Sequence, residues 1–290
     1  MLSPEQELVS DQLQALWLRV EAHELSWEQY EAERLGLLDR YREIWEQALV
    51  LDGHSSLKES LVAELDLYAG RGDVSETETR CRQAATVMMH EWRERVIEGD
   101  RASVEAFYNE NVACIYDLMW WHNLDVDDDP LAYVLALHLA SRRGCHRCLD
   151  FGAGVGSGSI LFARHGMEVT SADISSVMLA FAGWRFELRS LPVKLIDTKV
   201  DPLPANSFQL VTAMDSLEHL VDPVQTVETL WECLEPSGLL IGRFHMKPGD
   251  YRPQHIVRDF APTLERMAEL GFVEVWRDEW LWGHQAFEKR

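Results

Sequence analysis

The sequence is short of positive charge: 27 lysines and arginines stand against 49 aspartates and glutamates, a formal net charge of -22. A surface this acidic repels phosphate backbones, so nucleic acid is not an expected partner; a neutral or cationic small molecule fits better. No uninterrupted apolar run is long enough to span a bilayer, and no membrane partner is expected. The opening residues, Met1-Leu2-Ser3-Pro4-Glu5-Gln6, lack the basic-then-apolar order of a signal peptide. Cysteine is scarce, five in 290 residues without framework spacing, which points to a reduced, cytoplasmic protein. Cys145 and Cys148 have CxxC spacing, but no second pair completes a zinc site, and a core role is expected for both. No repeat with a period of roughly 20–50 residues is present.

What the chain does have is apolar residues, 47% of the total, enough for one large domain or two ordinary ones. Residues 1–125 read as helix throughout. Ser3, Ser26 and Ser56 each precede a helical stretch, with Gln6, Gln29 and Glu59 three residues on, the arrangement of a capping box. Leu13, Leu16, Trp17 and Val20, and then Tyr30, Leu37, Tyr41 and Trp45, recur at helical spacing. An aromatic cluster, Phe107, Tyr108, Tyr116, Trp120, Trp121 and His122, closes this part. It reads either as core or as a lid over a cationic cofactor, since cations are drawn to aromatic faces. Asp125-Val126-Asp127-Asp128-Asp129-Pro130 follows. Like charges in a row resist packing, so a domain boundary is expected there.

From residue 130 onward helices alternate with short apolar strands, expected at 147–151, 168–173, 193–197, 208–215, 238–244 and 272–276. Repeated strand–helix units imply a parallel sheet with helices on both faces, and ligands in such sheets sit at the carboxyl ends of the strands. Asp150, Asp173, Asp197 and Asp215 all fall at those ends. Between the first strand and its helix lies Gly152-Ala153-Gly154-Val155-Gly156, a bend that lets a ligand approach backbone where a Cβ would block it. Asp150 would repel a pyrophosphate and welcome an amino group. Asp173, about 20 residues past the bend, stands where an acid holds ribose hydroxyls. Asp197 is placed to accept from an adenine amino group.

These motifs resemble those of the class I S-adenosylmethionine-dependent methyltransferases, in particular the small-molecule branch that includes ubiquinone-biosynthesis enzymes. The resemblance covers roughly residues 130–290. It rests on Leu149 to Gly156, on Ser171 to Ser175 with Met178, on Asp197 and Leu203 to Val211, on Asp215 to Pro223, on Leu234 to Ile241, and on His255 to Phe260. Ser237 and Gln209 depart from the usual glycine and aspartate. The resemblance implies an α/β fold, a Rossmann-like seven-stranded sheet at 130–290 behind an all-helical domain at 1–125 that serves as substrate lid or dimer contact. It implies that Asp150, Gly152 and Gly154 hold the methionine part of the cofactor, Asp173 the ribose, Ile174 and Met178 the adenine face, and Asp197 and Thr198 its edge. Met214 and Asp215 would lie beside the methyl group.

The expected reaction is methyl transfer to an oxygen or nitrogen of a small molecule. His219 and His255 are the candidate bases, with Asp215 and Glu218 beside them, because imidazole titrates near neutral pH. The same four residues resemble the acid-and-histidine set that binds magnesium in small-RNA terminal 2′-O-methyltransferases, which makes them candidate ligands for a divalent cation. Tyr116, Trp120, Trp121, His122, Tyr251 and Arg252 are the expected acceptor-pocket residues, with Trp280 and Trp282 next. Two alternatives remain at this level: a nicotinamide-dependent oxidoreductase, disfavoured by the missing third glycine of the dinucleotide turn, and a non-catalytic scaffold, disfavoured by the intact strand-end acids.

Overall fold

A computed structural model describes residues 5–246 and 252–290. The expected Ser3 cap and Tyr251 lie outside the described residues. Seven helices come first: α1 (Val9–Glu21), α2 (Trp27–Leu49), α3 (Leu57–Ala69), α4 (Val74–Arg95), α5 (Arg101–Glu110), α6 (Ala113–Trp121) and α7 (Ala132–Arg143). Their starts follow from the sequence. Ser26 accepts from the Gln29 amide while the Gln29 side chain accepts from the Ser26 amide, a reciprocal capping box. Ser56 likewise accepts from the Glu59 amide at 3.2 Å.

The remaining chain runs β1 (Arg147–Phe151), α8 (Ser157–Arg164), β2 (Glu168–Asp173), α9 (Ser176–Leu188), β3 (Lys194–Asp197), β4 (Phe208–Ala213), α10 (Pro223–Cys233), β5 (Leu234–Gly242), α11 (Ala261–Leu270), β6 (Phe272–Arg277) and β7 (Gln285–Lys289). The seven strands form one sheet in the order β3-β2-β1-β4-β5-β7-β6. The order reverses between β1 and β4, and a switch point of this kind opens a crevice at the carboxyl ends of the strands. Asp173 pairs in register with Asp197, so these two acids come level at one edge, while Asp150, opposite Ser171 and Thr212, lies two residues further back along the strands.

The sheet is mixed rather than wholly parallel, which corrects the expectation drawn from the strand–helix alternation. β7 runs antiparallel to both β5 and β6. Its sequence, Gln-Ala-Phe-Glu-Lys, hides the strand because its polar residues are buried against specific partners. Lys289 Nζ, for example, donates to the Trp231 and Leu234 carbonyls at 2.7 Å.

The acidic stretch at 125–130 is tied down more firmly than its charge suggests. Asp127 accepts from the Trp121 indole at 2.8 Å, and Asp128 accepts from the Trp282 indole at 3.2 Å. These indole donors offset the repulsion together with Lys58, which pairs with Asp125 at 3.0 Å. One apolar core runs from Leu13, Trp45 and Leu61 of the helical part to Leu135, Ile160 and Ile241 around the sheet. Trp45 is fully buried, stacks on Tyr133 at 5.8 Å and donates to the His122 carbonyl at 3.0 Å. A sealed ionic cluster joins the same two parts. Glu64 of α3 accepts from Arg185 Nε of α9 at 2.9 Å and from Nη2 of Arg189, the residue that caps α9, at 2.8 Å. Arg185 Nη1 also donates to the Val155 carbonyl at 2.7 Å and to Ser157 Oγ at 2.9 Å. The glycine bend is therefore braced from behind by the helical part.

Candidate active site

Gly152 and Gly154 have φ of 68° and 52°, the left-handed region that glycine enters without a steric cost. Space is also short. A Cβ on Gly152 would lie 2.6 Å from the Ser216 Cβ, and one on Gly154 would lie 2.7 Å from a Leu118 methyl. The bend is held from the next strand, where Asp173 Oδ2 accepts from the Gly154 amide at 2.8 Å and Oδ1 from the Ser175 amide at 2.8 Å. Burial raises the Asp173 carboxyl above its ordinary range, opposed by these amides.

Along the sheet edge lies a cavity of about 1450 Å³. Ligand pockets commonly measure roughly 300–1,000 Å³, so this one has room for a cofactor and a second small molecule. One end is lined by Gly152, Gly154, Asp173, Ile174, Met178 and Thr198; Met214 and Asp215 follow, and then Glu218, His219 and His255. The helical part closes the other side with Tyr108, Asp117, Leu118, Trp120 and Trp121. Of the expected acceptor residues, Trp120, Trp121, His122 and Arg252 line this cavity.

Several expected site residues point elsewhere. Asp150 is fully buried but does not line the cavity: Oδ2 accepts from Ser159 Oγ at 2.8 Å and Oδ1 from Thr212 Oγ1 at 2.9 Å. Desolvation raises its carboxyl to about 6, with those two hydroxyls opposing the shift. Asp197 also stands outside the lining, paired with Lys199 at 2.9 Å, while its neighbour Thr198 faces in. Tyr116 is buried among the helices and hydrogen-bonds Arg71. His122 reaches the wall, but Nδ1 is engaged by Ser157 Oγ at 2.9 Å, and burial pushes the imidazole down to about 3. Trp280 packs on Trp17 at 6.2 Å and Trp282 bonds Asp128; neither lines the cavity.

The histidine pair is built from distant segments. His219 ends a short 3₁₀ turn, Leu217–His219, after β4, and His255 lies beyond β5. Their rings meet edge to face at 4.7 Å. His219 Nδ1 lies 2.8 Å from Tyr108 Oη and 3.0 Å from the Gln254 carbonyl. A carbonyl only accepts, so Nδ1 carries the proton in the neutral ring and Nε2 holds the basic lone pair. The side chains of Glu218, His219 and His255 each offer a ligand atom within 4.8 Å of the others.

Arg243, at the end of β5, was missed by the sequence reading. It pairs with Glu218 at 3.0 Å, with Asp215, and more distantly with Asp129 at 3.9 Å. Its signal was a charge immediately after the apolar run Leu239-Leu240-Ile241-Gly242. The salt bridge also holds Asp215, which has a φ of 48°. Burial raises the Asp215 carboxyl, and Arg243 opposes that shift.

The methyltransferase domain family matches residues 149–242, from β1 through β5. Over these residues the chain is similar to a methyltransferase domain. A Geobacillus sp. protein named as a methyltransferase is 32% identical over 123 residues, 41% of this chain and 49% of the relative. A ubiquinone biosynthesis O-methyltransferase of Bordetella avium is 31% identical over 117 residues, 38% of this chain and 47% of the relative. A demethylmenaquinone methyltransferase of Thermus thermophilus is 30% identical over 110 residues, 37% of this chain and 50% of the relative. The chain thus spans about half the length of the curated relatives it matches. Among the described residues no helix is long and apolar enough to cross a membrane.

Proposed function

We propose that the protein transfers a methyl group from S-adenosylmethionine to a nitrogen or oxygen of a small molecule held between the sheet edge and the helices of residues 1–125. One observation carries this reading: a single cavity runs from the glycine bend and Asp173 to the His219–His255 pair. The residues present fit the cofactor. Gly152 and Gly154 allow close approach. Asp173 keeps lone pairs for ribose hydroxyls beyond the two it gives to backbone amides, since an ionised carboxylate has about four acceptor sites. Ile174 and Met178 offer apolar surface to adenine, with Thr198 at its edge. Asp150 and Asp197 act from behind the wall, Asp150 by fixing the β1–α8 turn through Ser159 and Thr212.

When bound, the cofactor supplies an electrophilic methyl carbon on a sulfonium, already a good leaving group. The chain's work is then to align the acceptor and take its proton; orientation of this kind supplies roughly 7–11 kcal/mol. His219 Nε2 takes the proton, with the imidazolium steadied by Tyr108 and the Gln254 carbonyl. A divalent cation at Glu218, His219 and His255 is a second reading, motivated by the clustering of their ligand atoms. Glu218 is already paired with Arg243, which favours the acid–base role.

The test has two parts. S-adenosylhomocysteine should bind in calorimetry and NADH should not; the reverse result overturns the reading. His219→Ala should retain that binding and lower turnover by roughly 100- to 10,000-fold at saturating cofactor. Unchanged turnover in that variant would remove the base. If extensive chelation abolishes turnover and added magnesium restores it, the cation reading replaces the acid–base one.

A further inference from the structure

The helical side of the cavity is formed partly by α6, and its inward face is regular. Cys114, Asp117, Leu118 and Trp121 are spaced i, i+3, i+4 and i+7, and all four line the cavity. Three of them are apolar or aromatic. The fourth is a carboxylate, on a stripe where an amphipathic helix would place another apolar residue.

Asp117 is half-buried at the cavity wall, and no hydrogen bond or ion pair among the described residues engages it. Two groups face it electrostatically, Arg252 and His219. Desolvation raises its carboxyl above the ordinary range, and Arg252 and His219 oppose that shift. Leu118, the next residue, lies against Gly154 at the bend. Asp117 and Leu118 therefore divide α6 between the acceptor side, near His219, and the cofactor side.

Resting on the methyl-transfer reading, we propose that the acceptor is an amine, and that Asp117 is its binding residue. An ammonium offers this cavity-facing carboxylate charge-assisted hydrogen bonds and an opposite charge. The walls suit a cation. Tyr108 and Trp121 offer aromatic faces, and the chain's acidic excess favours a positive guest over an anionic one. A neutral hydroxyl would satisfy the hydrogen bond but leave the charge uncompensated. His219 Nε2, on the same side of the cavity, accepts the ammonium proton and frees the nitrogen lone pair. The N–C bond then forms as the C–S bond breaks, and the sulfur keeps the electron pair.

The experiment uses the full chain loaded with S-adenosylhomocysteine and three probes of one shape: 2-phenylethylamine, 2-phenylethanol and phenylacetate. Calorimetry should find the amine bound roughly 10- to 100-fold more tightly than the alcohol, with phenylacetate weakest. Asp117→Asn should erase the amine's advantage while S-adenosylhomocysteine affinity stays the same, which also shows that the variant is folded. Equal binding of amine and alcohol overturns the proposal. So does preference for phenylacetate, an amine preference that survives in Asp117→Asn, or no amine binding at millimolar concentration. Failure of S-adenosylhomocysteine to bind at all is a different result, and sinks the methyl-transfer reading first.

Discussion

Among the described residues arginine is buried against carboxylate in two places, and the two have opposite stoichiometry. Behind the glycine bend, one acid, Glu64, sits between two guanidinium groups, Arg185 and Arg189. Beside the histidine pair, one guanidinium group, Arg243, sits among three acids, Asp129, Asp215 and Glu218. The first cluster is closed. Arg185 and Glu64 are almost wholly shielded, and the spare donors of Arg185 reach the Val155 carbonyl and Ser157. The second opens on the cavity. A sealed cluster must complete its own hydrogen bonds. One that meets a cavity can leave an excess of one charge, because water and ligand share the compensation. The first joins helical part to sheet; the second sets the electrostatics of the site.

The contrast is broken most directly at Glu64. Removing one member of a closed buried pair leaves the other charge stranded, at a cost of roughly 3–5 kcal/mol. Glu64→Ala should therefore lower the melting temperature by roughly 6–20 °C for a chain of this size. A loss under 1 kcal/mol by denaturant titration would show that the cluster does not weld the two parts.

A second experiment compares a buried acid held only by neutral partners. Asp150 has hydroxyls for company and no arginine, and its carboxyl is raised from 3.8 to about 6. A raised folded-state value means the folded protein holds the proton more firmly than the unfolded chain. The stabilising contribution is then complete below the unfolded value near 3.8 and is lost as pH rises through about 6. At 1.36 kcal/mol per unit, the loss is about 3 kcal/mol. Asp150→Asn, which does not titrate, should gain on the parent by about that amount between pH 4 and pH 7 in denaturant titrations. Parallel curves across that range would contradict it.

How much of this arrangement could be read from sequence differs by kind of feature. The glycine bend, the strand-end acids and the capped helices are local patterns, and a pattern of period 2 or 3.6 survives into the fold. β7 was not legible as such a pattern, because its register with β5 places polar residues in buried positions. Side-chain direction was not legible either. Asp150 and Asp197 stand at strand ends as expected, yet Ser159 with Thr212, and Lys199, engage them outside the cavity lining. Tyr116 falls off the inward face of α6 by helical phase, whereas Asp117 falls on it. The Tyr108–His219 bond spans 111 residues in the chain, a contact made only when the helical part closes on the sheet.

Arg243 gives the smallest stability effect and the sharpest test of the contrast. Arg243→Met keeps length and apolar stem while deleting the charge. In a sealed site the three acids left behind would cost as much as the loss of Glu64. At the cavity wall water can solvate them, and Asp215 already leans toward its protonated form through burial. The expected loss is therefore no more than about 2 kcal/mol. The functional loss should be larger in proportion. Without the guanidinium, Asp215 is no longer held in its left-handed backbone conformation beside Met214, and Glu218 is no longer drawn away from His219. Turnover should fall by roughly 10- to 100-fold, about 1.4–2.7 kcal/mol in the barrier, with S-adenosylhomocysteine affinity changed less than threefold. The result that would erase the distinction is Arg243→Met destabilised as severely as Glu64→Ala with turnover intact, because Arg243 would then be welding the fold just as Glu64 does.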